Sequence, residues 1–293
     1  MIRMKRTAGS LTAMAVLLSI ATACGTAPPA PSSSPTPSAI VPHSPSPTLS
    51  HSPFPTSTPP PSPSPAGNPP TPSQAPPAED QNLPASLVGT EWTTLPTSKK
   101  VVALTFDAGA NNAGVASILE TLAAKDVRGT FFLTGKWTEL YGDDAREIAS
   151  RFPVANHTVS HPYLTTLSDR AVRSEIEEAG EMIRAATGRD DRPLFRFPYG
   201  DSDARTIGLA NDLGYGGIRW TVDTVGWKGT SGGESVDRIV ERVLGALRPG
   251  AIVLMHVGSH PEDESTLDAD ALPRMIDAIR ARGYGFVTVD QYV

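Results

Sequence analysis

Six histidines occur in the chain, and four of them fall in two pairs of equal spacing, His157/His161 and His256/His260. A separation of four residues puts two rings on one side of a helical turn, an arrangement that suits a shared metal ion. The first pair reads Asn156-His157-Thr158-Val159-Ser160-His161. The second is a weaker signal, because Gly258 and Pro261 make its segment a loop. Other chemically capable groups stand where short β-rich apolar runs end. Asp107 follows 101–106, and Asn156 and His157 follow a weak run at 153–155. Arg196, Pro198 and Tyr199 close 194–197, Asp223 follows 218–222, and His256 follows 252–255. Carboxylates, imidazoles and a guanidinium at five such points are groups for acid–base or metal-assisted chemistry. Each also has a structural use: Arg196 with Asp223 as a buried ion pair, Trp227 in the core, His256 at a strand terminus.

The elements that must position these groups alternate regularly. Strands are predicted over 101–106, 130–133, 153–155, 194–197, 218–222, 252–255 and 286–289. Helices are predicted over 115–125, 144–151, 169–187, 204–213, 236–247 and 269–282. The third helix carries its own punctuation, with Ser168 as N-cap and Gly188 just past its end. Its apolar residues Val172, Ile176, Ala179 and Ile183 recur at helical spacing. Strand followed by helix, repeated about seven times, implies a parallel sheet covered by helices. A small distorted (β/α) barrel and an open doubly wound sheet both satisfy the pattern. In either, function belongs at the C-terminal ends of the strands, where these groups lie.

Composition separates this region from what precedes it. Of 29 prolines, 21 lie between Pro28 and Pro84, and no Asp, Glu, Lys or Arg occurs from Gly25 to Ala78. Such a stretch cannot bury enough apolar surface to fold, so residues 24–85 are expected to be a disordered linker. In polyproline II geometry, Pro28 to Pro84 reaches about 180 Å. Arg3, Lys5 and Arg6 precede an apolar run from Leu11 to Ala23 that is too short to span a bilayer comfortably. The run ends Ala21-Thr22-Ala23-Cys24-Gly25, which resembles a bacterial lipobox. Residues 1–23 are thus expected to be a lipoprotein signal peptide, with Cys24 as the lipidated residue. The expected location is extracytoplasmic, lipid-anchored to a bacterial membrane, or secreted if the lipobox is not used. Cys24 is the only cysteine, which excludes a disulfide scaffold and a thiolate zinc cluster. The formal charge is −6 overall and −9 without the three N-terminal basic residues, which argues against nucleic acid as a partner.

Five motifs in order carry a family resemblance. They are Thr105-Phe106-Asp107-Ala108-Gly109, His157-Thr158-Val159-Ser160-His161, Arg196-Phe197-Pro198-Tyr199-Gly200, Asp223-Thr224-Val225-Gly226-Trp227 and Leu254-Met255-His256. Together they resemble the motifs of the polysaccharide deacetylases, also called the NodB-homology or carbohydrate esterase 4 family, over essentially the whole of 98–293. The resemblance implies a distorted (β/α)7-type barrel after the Pro-rich linker. It implies a metal-dependent hydrolase that removes N-acetyl groups from a polysaccharide; the lipid anchor and long spacer, which would place the domain against the cell wall, make peptidoglycan the expected substrate, and a monomer is the expected state. The resemblance further implies Asp107 as general base, His157 and His161 as ligands of a divalent ion, and Arg196 as the residue holding the base. The ion expected is zinc, with cobalt, manganese or nickel as alternatives. The Tyr199 N–H is implied as oxyanion donor, His256 as general acid, and Asp223 as the carboxylate that raises its pKa. Trp227 and Leu254 are implied as walls of the acetyl pocket.

The sequence departs from that family at two points. The first motif usually reads T-F-D-D-G, and its second aspartate is a metal ligand; here that position is Ala108. Three consequences are open: a weakly held ion on two histidines, a substitute oxygen from Asp107, Asn111, Asn112 or Asp201, or a domain that binds glycan without hydrolysing it. An O-acetyl esterase acting on xylan is the alternative within the enzyme class. Gly226 stands where the family often has an aspartate before the tryptophan. Asn111, Asn112 and a loop at 136–142 are expected to shape the substrate groove.

Overall fold

A computed structural model describes residues 83–293. The expected signal peptide, Cys24 and the linker as far as residue 82 lie outside the described residues. The elements in chain order are β1 (Glu91–Trp92), β2 (Val101–Ala108), α1 (Val115–Ala124), β3 (Thr130–Leu133), α2 (Gly135–Leu140), α3 (Gly142–Arg151), β4 (Val154–Asn156) and α4 (Asp169–Thr187). They continue with β5 (Leu194–Phe195), α5 (Ala204–Asp212), β6 (Gly216–Ile218), β7 (Val222–Asp223), α6 (Val236–Ala246), β8 (Ala251–His256), α7 (Leu267–Ala281) and β9 (Gly285–Val287).

The strands pair in the order β1-β6-β5-β4-β3-β2-β8-β7, with β9 added to β2, and every named pairing is parallel. Only Arg219, Trp220 and Thr221 separate β6 from β7, so two strands far apart in the pairing order lie close along the chain. The sheet therefore curls into a seven-strand barrel, β2 to β8, with an irregular seam between β6 and β7. This decides between the two architectures in favour of the (β/α)7-type barrel. The run 218–222 is not one strand but the end of β6, the seam and the start of β7.

Alternation along the strands sorts residues into two layers. Val102, Leu104 and Phe106 of β2 and Val253 and Met255 of β8 pack outward with residues of α1, α6 and α7. Ala103, Phe132, Ala155, Leu194, Ile218 and Ile252 face inward, where they pack with Leu87, Trp92, Leu95 and Val289. The barrel interior is thus filled by side chains, as in other βα barrels.

The helix α4 forms as its sequence predicts. Ser168 Oγ accepts from Ala171 N at 3.4 Å, and Gly188, at φ 70°, donates its N–H to Arg184 O at 2.8 Å. Val172, Ile176, Ala179 and Ile183 are buried, as the spacing requires. Gly180 on the same face is there for close approach, since a Cβ would lie 2.7 Å from the Tyr215 hydroxyl. The expected loop over 136–142 is largely a helix, α2, capped by Thr134, whose hydroxyl accepts from Trp137 N. Trp137 is 1% exposed. Trp137 and Thr138 thus belong to the core, while Lys136, Glu139 and Leu140 of the same segment stay exposed.

Candidate active site

The inward alternation that fills the barrel continues upward into the chemistry. In β2 the inward series Ala103, Thr105 ends at Asp107; in β4 Ala155 is followed by His157; in β5 Leu194 is followed by Arg196. In β8 the series Ile252, Leu254 ends at His256, whose Cα pairs with that of Asp107. Four strand ends therefore point polar groups into one mouth, directly above an apolar plug.

Asp107 and Arg196 meet at the floor of this mouth. Arg196 is 1% exposed and Asp107 is 7% exposed. Arg196 Nη1 donates to Asp107 Oδ1 at 2.6 Å, Nη2 to Thr105 Oγ1 at 2.9 Å, and Nε to Ile218 O at 3.0 Å. The guanidinium also lies 4.0 Å above the Phe132 ring. Burial by itself would raise the Asp107 pKa, but Arg196, then His157 and His256, outweigh it and hold the carboxyl below its usual range. The ion pair of the barrel is thus Arg196–Asp107, not Arg196–Asp223.

His157 and His161 do not lie on a helical turn. They sit in a loop after β4 in which Thr158 and His161 take left-handed backbone angles, φ 68° and 61°. The rings nevertheless meet, with centroids 4.7 Å apart, edge to face. Asn156 shapes the loop. Its Oδ1 accepts from Thr158 N at 2.9 Å, and its Nδ2 donates to Ile176 O at 3.0 Å and to Asp191 Oδ2 at 2.7 Å. Tyr215 donates its hydroxyl to the same Asp191 oxygen at 3.0 Å. Burial pushes the Asp191 carboxyl up. Asp191 is not among the residues that the sequence singled out, so this buried anchor was not legible there.

The other side of the mouth is carried by His256. Its partner is Asp268, in the first turn of α7: Asp268 Oδ2 accepts from His256 N at 2.8 Å and from Nδ1 at 3.3 Å. Asp223, expected to raise the His256 pKa, does so through its charge but makes no hydrogen bond to the ring; it accepts from Val225 N at 2.7 Å and from Trp227 Nε1 at 3.2 Å. Residue 223 ends a two-residue strand that turns sharply at once, with Val225 at φ 62°, and its carboxylate holds that turn. Burial alone would lower the His256 pKa; the hydrogen bond and charge of Asp268, followed by the charges of Asp107 and Asp223, raise it. Asp268 was missed because the helix was expected to begin at Ala269, which left an acid looking like an ordinary exposed N-terminal residue.

A cavity of about 480 Å³ joins these groups. Asp107, His157, His161, Tyr199, Asp223, Trp227, Leu254 and His256 all line it, so eight of the nine domain residues singled out in the sequence share one space, and Arg196 lies beneath it through Asp107. Trp220, from the seam, was not foreseen. Tyr199 occupies a 3-10 turn at φ 59°; its ring stands edge-on to His161 and stacks on Tyr163 at 4.2 Å. Tyr199 and Trp227 are about half exposed, so aromatic surface flanks the opening. A groove along α4 and α5 is larger, about 1320 Å³, but its charged residues are largely surface arginines and glutamates and none of the site residues reach it.

The donor set can be tested for a metal ion. His157 Nδ1 lies 2.8 Å from Arg196 O and must donate to that carbonyl, which leaves a lone pair on Nε2. That Nε2 lies 3.3 Å from Asp107 Oδ2. Two acceptors that face each other need a proton or a cation between them. Burial, only partly countered by Asp107, lowers the His157 pKa. Burial, then the neighbouring His157, lowers that of His161 to about 4. Both rings are therefore neutral ligands at pH 7. The third member is missing: Ala108, fully buried at the end of β2, does not line the cavity. Of the four substitutes, Asp107 alone keeps an oxygen, Oδ2, beside the histidines; the other three are engaged elsewhere. Asn111 bonds to Ser259 and Ala113, Asn112 to Asp144, and Asp201 to Thr165. Among the described residues no group of three His, Cys, Asp or Glu side chains forms a closed metal site. His157 and His161 are the side chains that would hold an ion here, with Asp107 Oδ2 beside them.

Comparison with known proteins places this geometry. Residues 94–218 match the family described as polysaccharide deacetylase. A peptidoglycan-N-acetylglucosamine deacetylase of Bacillus cereus is 33% identical over 195 residues, covering 66% of this chain and 68% of its own. A chitooligosaccharide deacetylase of Sinorhizobium fredii is 33% identical over 191 residues, covering 62% and 87%. Among solved structures, wild-type BA3943, a CE4 family pseudoenzyme from Bacillus anthracis, superposes with a TM-score of 0.60 at 34% identity, covering 66% of this chain and 65% of that one. A mutant of it is described as having restored enzymatic activity.

Proposed function

The chain belongs to the polysaccharide deacetylase family, and from that premise we propose that it removes N-acetyl groups from a cell-wall polysaccharide, with peptidoglycan as substrate. The observation that carries this reading is the placement of Asp107 and His256 on adjacent strands, facing one cavity, with opposite pKa displacements. Amide hydrolysis needs a base for the attacking water and an acid for a poor leaving amine, and one environment cannot supply both.

A divalent ion on His157 and His161 would supply a more acidic water and polarise the acetyl carbonyl. The protein's own groups do the rest. Asp107 Oδ1 is held by Arg196, so Oδ2 is the oxygen that takes the proton of the attacking water. The Tyr199 main-chain N–H is assigned to the developing oxyanion, an interaction typically worth about 3–4 kcal/mol of barrier. His256 delivers a proton to the departing nitrogen as the C–N bond breaks, leaving acetate and a free amine on the sugar. Leu254 and Trp227 exclude water around the acetyl methyl. The exposed faces of Tyr199 and Trp227 are suited to sugar rings, which present apolar faces of their own. A lipid anchor at Cys24 and a Pro-rich spacer would hold this domain near the wall, and the net charge of −6 over residues 98–293 is compatible with an aminated product.

A second reading is favoured by one observation, the methyl group at Ala108: a domain that binds glycan without hydrolysing it. Offering the zinc-loaded protein N-acetylglucosamine oligomers, peptidoglycan and acetylated xylan in parallel separates the cases. Acetate from the first two is the expected result. Acetate from xylan alone would instead favour an esterase, and glycan binding with no acetate under added Zn²⁺, Co²⁺ or Mn²⁺ would favour the binding module.

A further inference from the structure

Resting on that reading and deepening it, we propose that Asp268 is the positioning residue for the His256 acid, reaching it from helix α7 through a space that Gly226 keeps open. Positions 226 and 268 are then alternative sources of one carboxylate.

Asp268 is 3% exposed, and Oδ2 alone carries its hydrogen bonds, both of them to His256. Gripping the main-chain N–H and Nδ1 of the same residue fixes the ring's rotation. It also puts the Nδ1 proton on the helix side and turns Nε2 to the cavity that His256 lines. The second oxygen, Oδ1, is buried and has no hydrogen-bond partner. A buried carboxylate oxygen left unsatisfied is costly and calls for a reason. The reason lies across the gap. A Cβ built on Gly226 would stand 2.7 Å from Asp268 Cγ and closer still to Oδ1. Any side chain at 226 would therefore occupy the volume in which the Asp268 carboxylate now sits. Gly226 does not have a left-handed φ, so its backbone does not demand glycine; the Asp268 carboxylate does. The remaining charged and titratable groups near His256 are Asp107 on β2, Asp223 at the end of β7, and His157 and His161. Of the carboxylates, Asp107 is committed to Arg196 and Asp223 to Val225 and Trp227, which leaves Asp268 as the one bonded to the ring.

The test is an NMR pH titration of the assigned His256 ring, with steady-state kinetics, in four proteins: wild type, Asp268→Asn, Asp268→Ala and the exchange variant Gly226→Asp/Asp268→Ala. The wild-type midpoint is expected above the ordinary histidine value of about 6.5. It should fall in both single variants, because the carboxylate that favours the charged ring is gone. The alkaline limb of the rate profile should move to lower pH with it, and kcat should drop roughly 10- to 100-fold with little change in KM. The exchange variant should regain the midpoint and most of kcat. Thermal melting covers the case in which Asp268→Ala folds poorly: the exchange variant should melt above it, while Gly226→Asp alone should melt below wild type. A His256 midpoint unmoved by Asp268→Asn, or an exchange variant no better than Asp268→Ala, would overturn the proposal. A wild-type protein that releases no acetate while its His256 midpoint still responds to Asp268→Asn would refute the deacetylase reading and leave this pairing standing.

Discussion

Asp107→Asn is expected to lower kcat for acetate release by roughly a thousandfold, within the range that general-base catalysis supplies. The substitution keeps shape and can still accept from Arg196, but it removes the group that takes the water's proton. No other carboxylate can step in. Asp223 holds the turn before Trp227, and Asp268 faces His256 from the helix side. The measurement is kcat on an N-acetylglucosamine oligomer, with circular dichroism to confirm that the variant is folded. A loss of less than about tenfold would mean that Asp107 is a structural partner of Arg196 and nothing more.

Arg196→Met should be as damaging to the fold as Asp107→Asn is to the rate. The guanidinium is buried, donates to Asp107, Thr105 and Ile218, and packs on Phe132. Removing one member of a buried pair leaves the other as an uncompensated charge, at a cost of about 3–5 kcal/mol. For a domain of this size that corresponds to a fall in Tm of roughly 10 °C. Arg196→Met should also raise the Asp107 pKa, since the largest favourable influence on its charge is gone. The acid limb of the pH–rate profile should then move to higher pH. Replacing both partners by apolar residues of similar volume, Asp107→Leu with Arg196→Met, should recover much of the stability and none of the activity. Additive losses of stability in the double variant would show that the two residues are not coupled.

These effects trace to features that were unevenly legible in the sequence. Strand ends could be read because their residues are short apolar runs stopping at a polar group, and inward alternation then places Asp107, His157, Arg196 and His256 in one mouth. The pairing of Arg196 could not be chosen between Asp107 and Asp223 from spacing, because both follow strands and only the closed barrel sets their distances. The loop after β4 was misread as helical because four-residue spacing was taken for a turn of helix. In fact Asn156 and two left-handed residues bring the rings together without one. Trp137 misled in the opposite sense: its short helix, α2, lacks a full apolar period, so nothing in the local pattern marked it as core. Asp268 was invisible for a further reason. Its partner is 12 residues away at the end of a different element, and the glycine that admits it, Gly226, lies in a third.

The most direct test of the central claim is calorimetric titration of the metal-free protein with Zn²⁺. The geometry predicts one ion per chain, with His157→Ala and His161→Ala each weakening binding at least about tenfold. Absence of binding, or binding that neither substitution alters, would contradict the placement of a metal-assisted hydrolysis at the mouth of this barrel.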